Sequence, residues 1–549
     1  MSDPQTPWWR SAAIYQIYIR SFADGTGTGV GDIRGMRSRL DYLRDLGVDA
    51  IWITPWYPSP MRDGGYDVSD YRGIAELFGT LAEAERFIDD AHEHGLRVII
   101  DIVPNHTSFR HAWFAAARAA GPGSPERDRY IFRPGRGPSG DSPPNNWNSV
   151  FGGPAWTRIT ERDGTPGEWY LHLFDSSQPD LNWNNEEVRA EFDDILRFWF
   201  DRGVDGIRID VANGLVKAAG LPDLPTAADG TPLEPAEIAD HPYLDRDGVH
   251  EIYRRWRKIA DEFDHRPVFV AEAWVESLER LAAYVRPDEL HTAFNFGYLR
   301  TPWSAPELRE TIDATIAAMS AVGAPATWVL SNHDVERHVT RYGRAETAAG
   351  IGASRPDDPG PVDLELGLRR ARAAALLTLA LPGSAYVYQG EELGLPEVLD
   401  IPENMLQDPV WVRSGHTQRG RDGSRVPLPW LASGPSFGFG VGRAWLPQPV
   451  DWGRLSVQVQ RDDPGSTLSL YRAALRLRRE LPALGNGEMT WLSEPGDSLL
   501  VFTREPEFMC VVNLGTAAVP LPDHQRLLLT SNPLDEGLLP PDTAAWLVV

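Results

Sequence analysis

Four short segments place ionisable side chains at the ends of β-type apolar runs: Asp101-Ile-Val-Pro-Asn-His106, Gly206-Ile-Arg-Ile-Asp210, Ala271-Glu-Ala-Trp274 and Ser331-Asn-His-Asp334. If those runs are neighbouring parallel strands, three carboxylates (Asp210, Glu272, Asp334) share one mouth with His106, His333 and Arg208. An acid at a strand end also caps a following helix, which is the plainer account of any one of them alone. That account weakens for Arg208 with Asp210, because alternation on a strand points both to the same side. It does not explain four such segments in order.

The elements that must position these groups follow from the apolar periodicity. Short β-type runs alternate with longer amphipathic stretches, the pattern of a parallel sheet wrapped by helices. Strands are expected at Ala13–Tyr18, Ala50–Thr54, Arg97–Val103, Gly206–Val211, Val268–Ala273, Thr292–Phe296, Thr327–Ser331 and Ala385–Tyr388. Helical patterns such as Leu81–His94 and Val188–Phe200 lie between them. Eight strands with intervening helices make an α/β fold, a (β/α)8 barrel. The stretch Thr107–Asp180, rich in Gly, Pro, Asn and Trp, interrupts the rhythm after strand three and reads as an irregular insert domain. After a helix near Leu468–Leu481, alternating runs at Ser498–Thr503, Phe508–Leu514, Gln525–Leu529 and Ala544–Val549 predict a C-terminal antiparallel β domain. The expected division is therefore 1–106 and 181–466 for the barrel, 107–180 for the insert, and 467–549 for a C-terminal β-sandwich.

Composition bounds the partners. A net charge of −25 argues against nucleic acid and against anionic substrates, which need clustered Lys and Arg, but suits a neutral sugar. Twenty tryptophans supply flat faces that fit either sugar rings or a large core. The lone Cys510 excludes an intramolecular disulfide and a cysteine-based metal site. Met1–Arg10 lacks a signal-peptide apolar stretch, and no run of apolar residues is of spanning length. The expectation is a cytoplasmic protein without a membrane partner.

The segments DIVPNH, GIRID, AEAW and SNHD resemble the four signature regions of the α-amylase family of glycoside hydrolases. Gln178-Pro-Asp-Leu-Asn182 resembles that family's insert-domain motif, so the resemblance covers nearly the whole chain. Pro144–Gly153, Tyr170–Phe174 and Arg421–Trp430 look like the oligosaccharide-cleaving α-glucosidases and oligo-1,6-glucosidases of that family rather than its long-chain amylases.

The resemblance implies a retaining, exo-acting α-glucosidase that releases terminal glucose from short, neutral oligosaccharides. Asp210 would be the nucleophile and Glu272 the general acid/base, with Asp334 steadying the ring as positive charge develops. Such chemistry needs an anion on one face of an oxocarbenium-like transition state and a proton donor at the leaving oxygen. Arg208 should then keep Asp210 ionised while neighbouring carboxylates raise Glu272. His106, Arg208 and His333 would orient the sugar, and Asp63 and Tyr66 would grip and stack beneath its non-reducing end. Arg421 would complete the pocket, with Arg425 the alternative. Phe151 and Phe174 read equally as an aromatic wall or as core. Val211, after the nucleophile, matches the residue common in relatives that accept α-1,6 bonds.

No cofactor is required for this chemistry. Asp24-Gly-Thr-Gly-Thr-Gly-Val-Gly-Asp32 resembles a calcium loop of many relatives. Its ligand positions would be Asp24, Thr26, Thr28, Val30 and Asp32, but two acids with two hydroxyls fall short of six to eight oxygens, so it reads as a vestige. The nearest rival is a transglucosylase or isomerase of the same family, of trehalose synthase or sucrose isomerase type. A non-catalytic transporter subunit would be expected to lack some of the three carboxylates.

Overall fold

The computed structural model describes residues 7–226, 233, 238, 240–350 and 360–549. The remaining parts of the expected barrel range, 1–6, 227–232, 234–237, 239 and 351–359, lie outside the described residues.

Eight parallel strands form one sheet: β1 (Ala13–Ile17), β2 (Ala50–Ile53), β3 (Arg97–Ile102), β7 (Gly206–Ile209), β8 (Val268–Ala271), β9 (Thr292–Ala293), β10 (Thr327–Val329) and β11 (Ser384–Tyr388). Their order, β10-β11-β1-β2-β3-β7-β8-β9, curls into the expected barrel, with its seam between β9 and β10. Both faces are buried, so the strands read as nearly continuous apolar runs. Ile14, Trp52, Ile99, Val270, Val329 and Tyr386 form one cluster inside the ring. Their outward neighbours Ile51, Ile53, Val98, Ile100 and Ile207 join the larger cluster beneath the helices.

The helices start where the side chains allow. Leu81–Glu93 opens on a capping box in which Thr80 and Glu83 satisfy each other's backbone N–H. The expected strand Thr292–Phe296 is cut to two residues because Asn295 caps a helix, its Oδ1 accepting the Tyr298 N–H at 3.0 Å.

The insert is more regular than its composition suggests. It holds a helix, Ala112–Ala119, and a three-stranded sheet of β4 (Phe132–Arg133), β5 (Trp156–Thr160) and β6 (Pro166–Leu171) in the order β4-β6-β5. An alanine-rich run, favourable in helices, was hidden among the loop-forming residues. The two ends of the insert meet: Thr107 N donates to Pro179 O and Leu181 N to Asn105 O.

C-terminal strands β12 (Met489–Trp491), β13 (Leu499–Arg504), β14 (Phe508–Asn513), β16 (Arg526–Thr530) and β18 (Thr543–Val548) make an antiparallel sheet in the order β12-β13-β14-β18-β16. One face packs on the barrel, where Trp546 Nε1 donates to Leu376 O at 3.1 Å. The other packs beneath the short pair β15 (Val519–Pro520) and β17 (Leu538–Leu539). The helix Thr467–Glu480, grouped in the sequence with these strands, is tied to the barrel: Arg478 donates to Leu379 O, Gly383 O and Ser11 O. Among the described residues no helix is long and apolar enough to cross a membrane.

Candidate active site

At the carboxyl end of the barrel, Arg208 is the hub. It stands in register with Asp101 on the neighbouring strand and two residues before Asp210. Its Nη1 donates to Asp101 Oδ1 at 2.8 Å and to Asp210 Oδ1 at 2.7 Å, while Nη2 lies 2.8 Å from Glu272 Oε2. Glu272 follows β8 and is held from both sides, by the Val211 backbone N–H at 3.1 Å and by Trp274 Nε1 at 3.4 Å. Trp52 Nε1 and Tyr66 OH both donate to Asp101 Oδ2. One buried guanidinium thus serves three carboxylates.

Arg208 pulls Asp210 toward its ionised form, as expected, but shares that pull with two other carboxylates. Burial pushes Asp210 up from the ordinary carboxylate range, Arg208 opposes this, and the charges of Glu272 and Asp101 reinforce it. Asp101 is likewise pushed up by burial, to about 6, against the pull of Arg208. Asp101 and Asp210, sharing one cation, titrate as a coupled pair rather than as independent groups.

The opposite wall is built around Arg421. Its Nη2 donates to Asp63 Oδ1 at 2.8 Å and its Nη1 to Asp334 Oδ1 at 2.9 Å. Arg425 Nη2 reaches the same Asp334 oxygen at 2.8 Å, so both arginines of the loop take part. Burial alone would raise Asp334, but His333, Arg421 and Arg425 hold it well below the ordinary range. His333 is itself lowered by burial to about 3 and is neutral near pH 7, so the lasting holders are the two arginines. The two aspartates after β7 and β10 are thus pushed apart, Asp210 up and Asp334 down.

His333 stacks on Tyr66, ring centroids 5.3 Å apart, and Gln16 Nε2 meets its Nδ1 at 2.7 Å. His106 contacts Tyr66 O and Gln178 Nε2, and burial lowers it to about 4. Phe174 lies against His106, Phe151 against Phe174, and Arg421 sits 5.1 Å over the Phe151 ring. The structure thus brings Asp63, Tyr66, His106, Phe151, Phe174, Arg208, His333 and Arg421 around the three carboxylates.

In the loop Asp24–Asp32 the two carboxylates face the loop's own donors. Asp24 accepts the N–H groups of Thr26, Gly27, Thr28 and Gly29, and Asp32 those of Gly25, Thr26 and Gly35. The Thr26 hydroxyl donates to Asp32 Oδ2 at 2.6 Å, and that of Thr28 turns to Val30 O.

Three contributors were missed in the sequence. Asp101 and Gln178 lie within the motifs DIVPNH and QPDLN, and strand register with Arg208 is the signal that marks Asp101. Asp408, buried, accepts the Arg421 N–H at 2.9 Å and Nε at 2.5 Å. Asp408-Pro409 reads as a helix start and gives no hint of that partner.

A family model described as Alpha amylase, catalytic domain, matches residues 16–487. An oligo-1,6-glucosidase of Parageobacillus thermoglucosidasius is 34% identical, over 96% of this chain and 96% of that protein. A probable alpha-glucosidase of Rhizobium meliloti is 37% identical, over 94% and 91%. The solved structure of an alpha-glucosyl transfer enzyme, XgtA, superposes with a TM-score of 0.84 at 38% identity, covering 99% of this chain and 100% of that one.

Proposed function

The chain belongs to the α-amylase family of glycoside hydrolases, within its α-glucosidase and oligo-1,6-glucosidase group, and from that premise we propose how its residues release terminal glucose from short, neutral α-glucosides. Asp210 attacks the anomeric carbon while Glu272 protonates the leaving oxygen, forming a covalent glucosyl ester on Asp210. Glu272 then takes a proton from water, which opens the ester with net retention. Asp334 stays anionic and stabilises the developing positive charge, with Arg421 and Asp63 gripping the hydroxyls at the far end of the ring.

One observation carries the reading. Asp210 and Glu272 are bound to the two terminal nitrogens of a single guanidinium, Arg208. Carboxyls so bridged stand close, which supports the roughly 5–5.5 Å spacing of retaining enzymes over the wider gap that leaves room for water. Incubation with maltose, isomaltose and sucrose, with products identified, is the test. Glucose as the main product supports hydrolysis; absence of cleavage of every α-glucoside overturns it.

Likeness to an alpha-glucosyl transfer enzyme favours one second reading, in which another sugar or alcohol replaces water at the glucosyl ester. The first half of the reaction is then unchanged. Products longer than the substrate, formed in dilute acceptor, would favour transfer.

A further inference from the structure

The loop after β11 carries a short helix, Pro409–Arg413, whose two ends reach different walls of the site. At its start Asp408 caps the helix through the Val410 N–H and holds Arg421 by backbone and side chain. At its end Arg413 turns to the insert. Its Nε and Nη2 donate to the Gly152 carbonyl at 3.0 and 2.5 Å, and its Nη1 lies 3.6 Å from Asp175 Oδ1.

Gly152 belongs to a tight turn. Ser149 N donates to Gly153 O, and Ser149 Oγ donates to Phe174 O, so the turn is fixed to the insert behind it. Next to Gly152 in that turn is Phe151, buried under the Arg421 guanidinium. The contacts close on themselves: Arg421 to Asp408, along the helix to Arg413, across to Gly152, through Phe151 and back to Arg421. Asp175 adds a second anchor three residues before Gln178, which touches Asp63 and His106.

We propose that Arg413 is a specificity-determining residue, a bolt that joins the barrel strap to the insert and makes the pocket blind beyond Asp63 and Arg421. The inference rests on the exo-acting reading above. An enzyme that removes one terminal glucose must close the space past the non-reducing hydroxyls, because an open cleft there would admit internal bonds of longer chains. Here the closure hangs on one arginine that holds a backbone carbonyl by two charge-assisted hydrogen bonds. Arg413 touches no reacting atom; it positions Phe151 and Arg421.

The experiment compares wild type, Arg413→Ala and Arg413→Lys on maltose, on 4-nitrophenyl α-glucoside, and on a chromogenic maltoheptaoside whose non-reducing 4- and 6-hydroxyls are blocked. Wild type should cleave the first two and reject the third. Arg413→Ala should cleave the blocked substrate at least about tenfold faster than wild type and raise KM for maltose several-fold, with kcat moving less. Arg413→Lys keeps one donor and the charge toward Asp175, and should fall between. If the alanine variant does not fold, the lysine variant alone must still show the shift. A folded variant that excludes the blocked substrate as wild type does, with unchanged KM, overturns the bolt and leaves the glucosidase reading standing. Cleavage of the blocked substrate by wild type overturns the exo reading and the bolt with it.

Discussion

Arg208 and Glu272 are bonded to each other, Nη2 to Oε2 at 2.8 Å, although the sequence pairs Arg208 only with Asp210. The guanidinium is therefore a common tie for Asp210 and Glu272, the proposed nucleophile and acid/base, and its removal should affect both. Arg208→Lys keeps a charge but offers a compact ammonium in place of the planar fork that spans the carboxylates. We expect kcat/KM to fall by about 100-fold or more. Weaker pairing disfavours the charged carboxylates, so the acid limb of the pH profile should move to higher pH. A shift to lower pH, or none, would show that Arg208 does not set their titration.

Asp210→Asn and Glu272→Gln each remove a charge or a proton used only in the reaction. Each should lower kcat by at least about 10³-fold with a thermal melt close to wild type. NMR of the first product formed by wild type should show α-glucose. Early β-glucose would end the retaining assignment, and residual activity near a tenth in either variant would mean the roles are misassigned.

What the sequence conveyed and what it withheld divide along a physical line. The barrel was legible because its strands are short, apolar and each followed by helical periodicity, and the site was legible wherever a polar group stood at a strand end. Asp408 was not, because its bond to Arg421 joins two parts of one long loop that has no periodicity to read. The double pairing of Asp334 with Arg421 and Arg425 was open for the same reason: four residues apart in a loop, the two arginines are equivalent on paper and complementary in space. The upward push of burial on Asp210 was not legible because it depends on packing from several strands at once.

Glu391, buried behind the site beside Glu392, is pushed up by burial to about 8. In the unfolded chain a glutamate titrates near 4.3, so the folded state binds the extra proton between those values. Its contribution to stability is fully present below about 4.3 and lost as pH rises through about 8. Glu391→Gln stays neutral throughout. Its melting temperature should therefore fall less than that of wild type between about pH 6 and 9, and parallel curves would remove Glu391 as the cause.

The loop Asp24–Asp32 satisfies its carboxylates with its own N–H groups and with the Thr26 hydroxyl. Stability should therefore be indifferent to calcium. Melting curves with chelator and with added calcium are expected to coincide. A fall in melting temperature on chelation, restored by calcium, would mean that the loop rearranges to admit the ion.

We expect linkage preference to turn on Val211, which directly follows Asp210 and donates its backbone N–H to Glu272 Oε2. Its φ is +47°, a left-handed conformation that a β-branched residue adopts only under strain, at a cost of about 1–3 kcal/mol. The conformation aims the Val211 N–H at Glu272 Oε2 and leans the side chain over Gly214, where an added Cβ would stand 2.6 Å from Val211 Cγ1. Gly214, lacking a Cβ, leaves the space that Val211 Cγ1 occupies, and the Val211 side chain is half-buried. A branched apolar surface so close to the acid/base favours the flexible CH2–O arm of an α-1,6 bond over the bulkier ring hydroxyls around an α-1,4 bond. One methyl in such a pocket shifts selectivity by about 1–3 kcal/mol, enough to bias the choice without fixing it. We expect isomaltose to be hydrolysed within about an order of magnitude of maltose, and Val211→Thr, which keeps the shape and swaps a methyl for a hydroxyl, to move the ratio toward maltose. If wild type cleaves maltose alone and the substitution leaves the ratio unchanged, the determinant lies in the loops beyond Gly214.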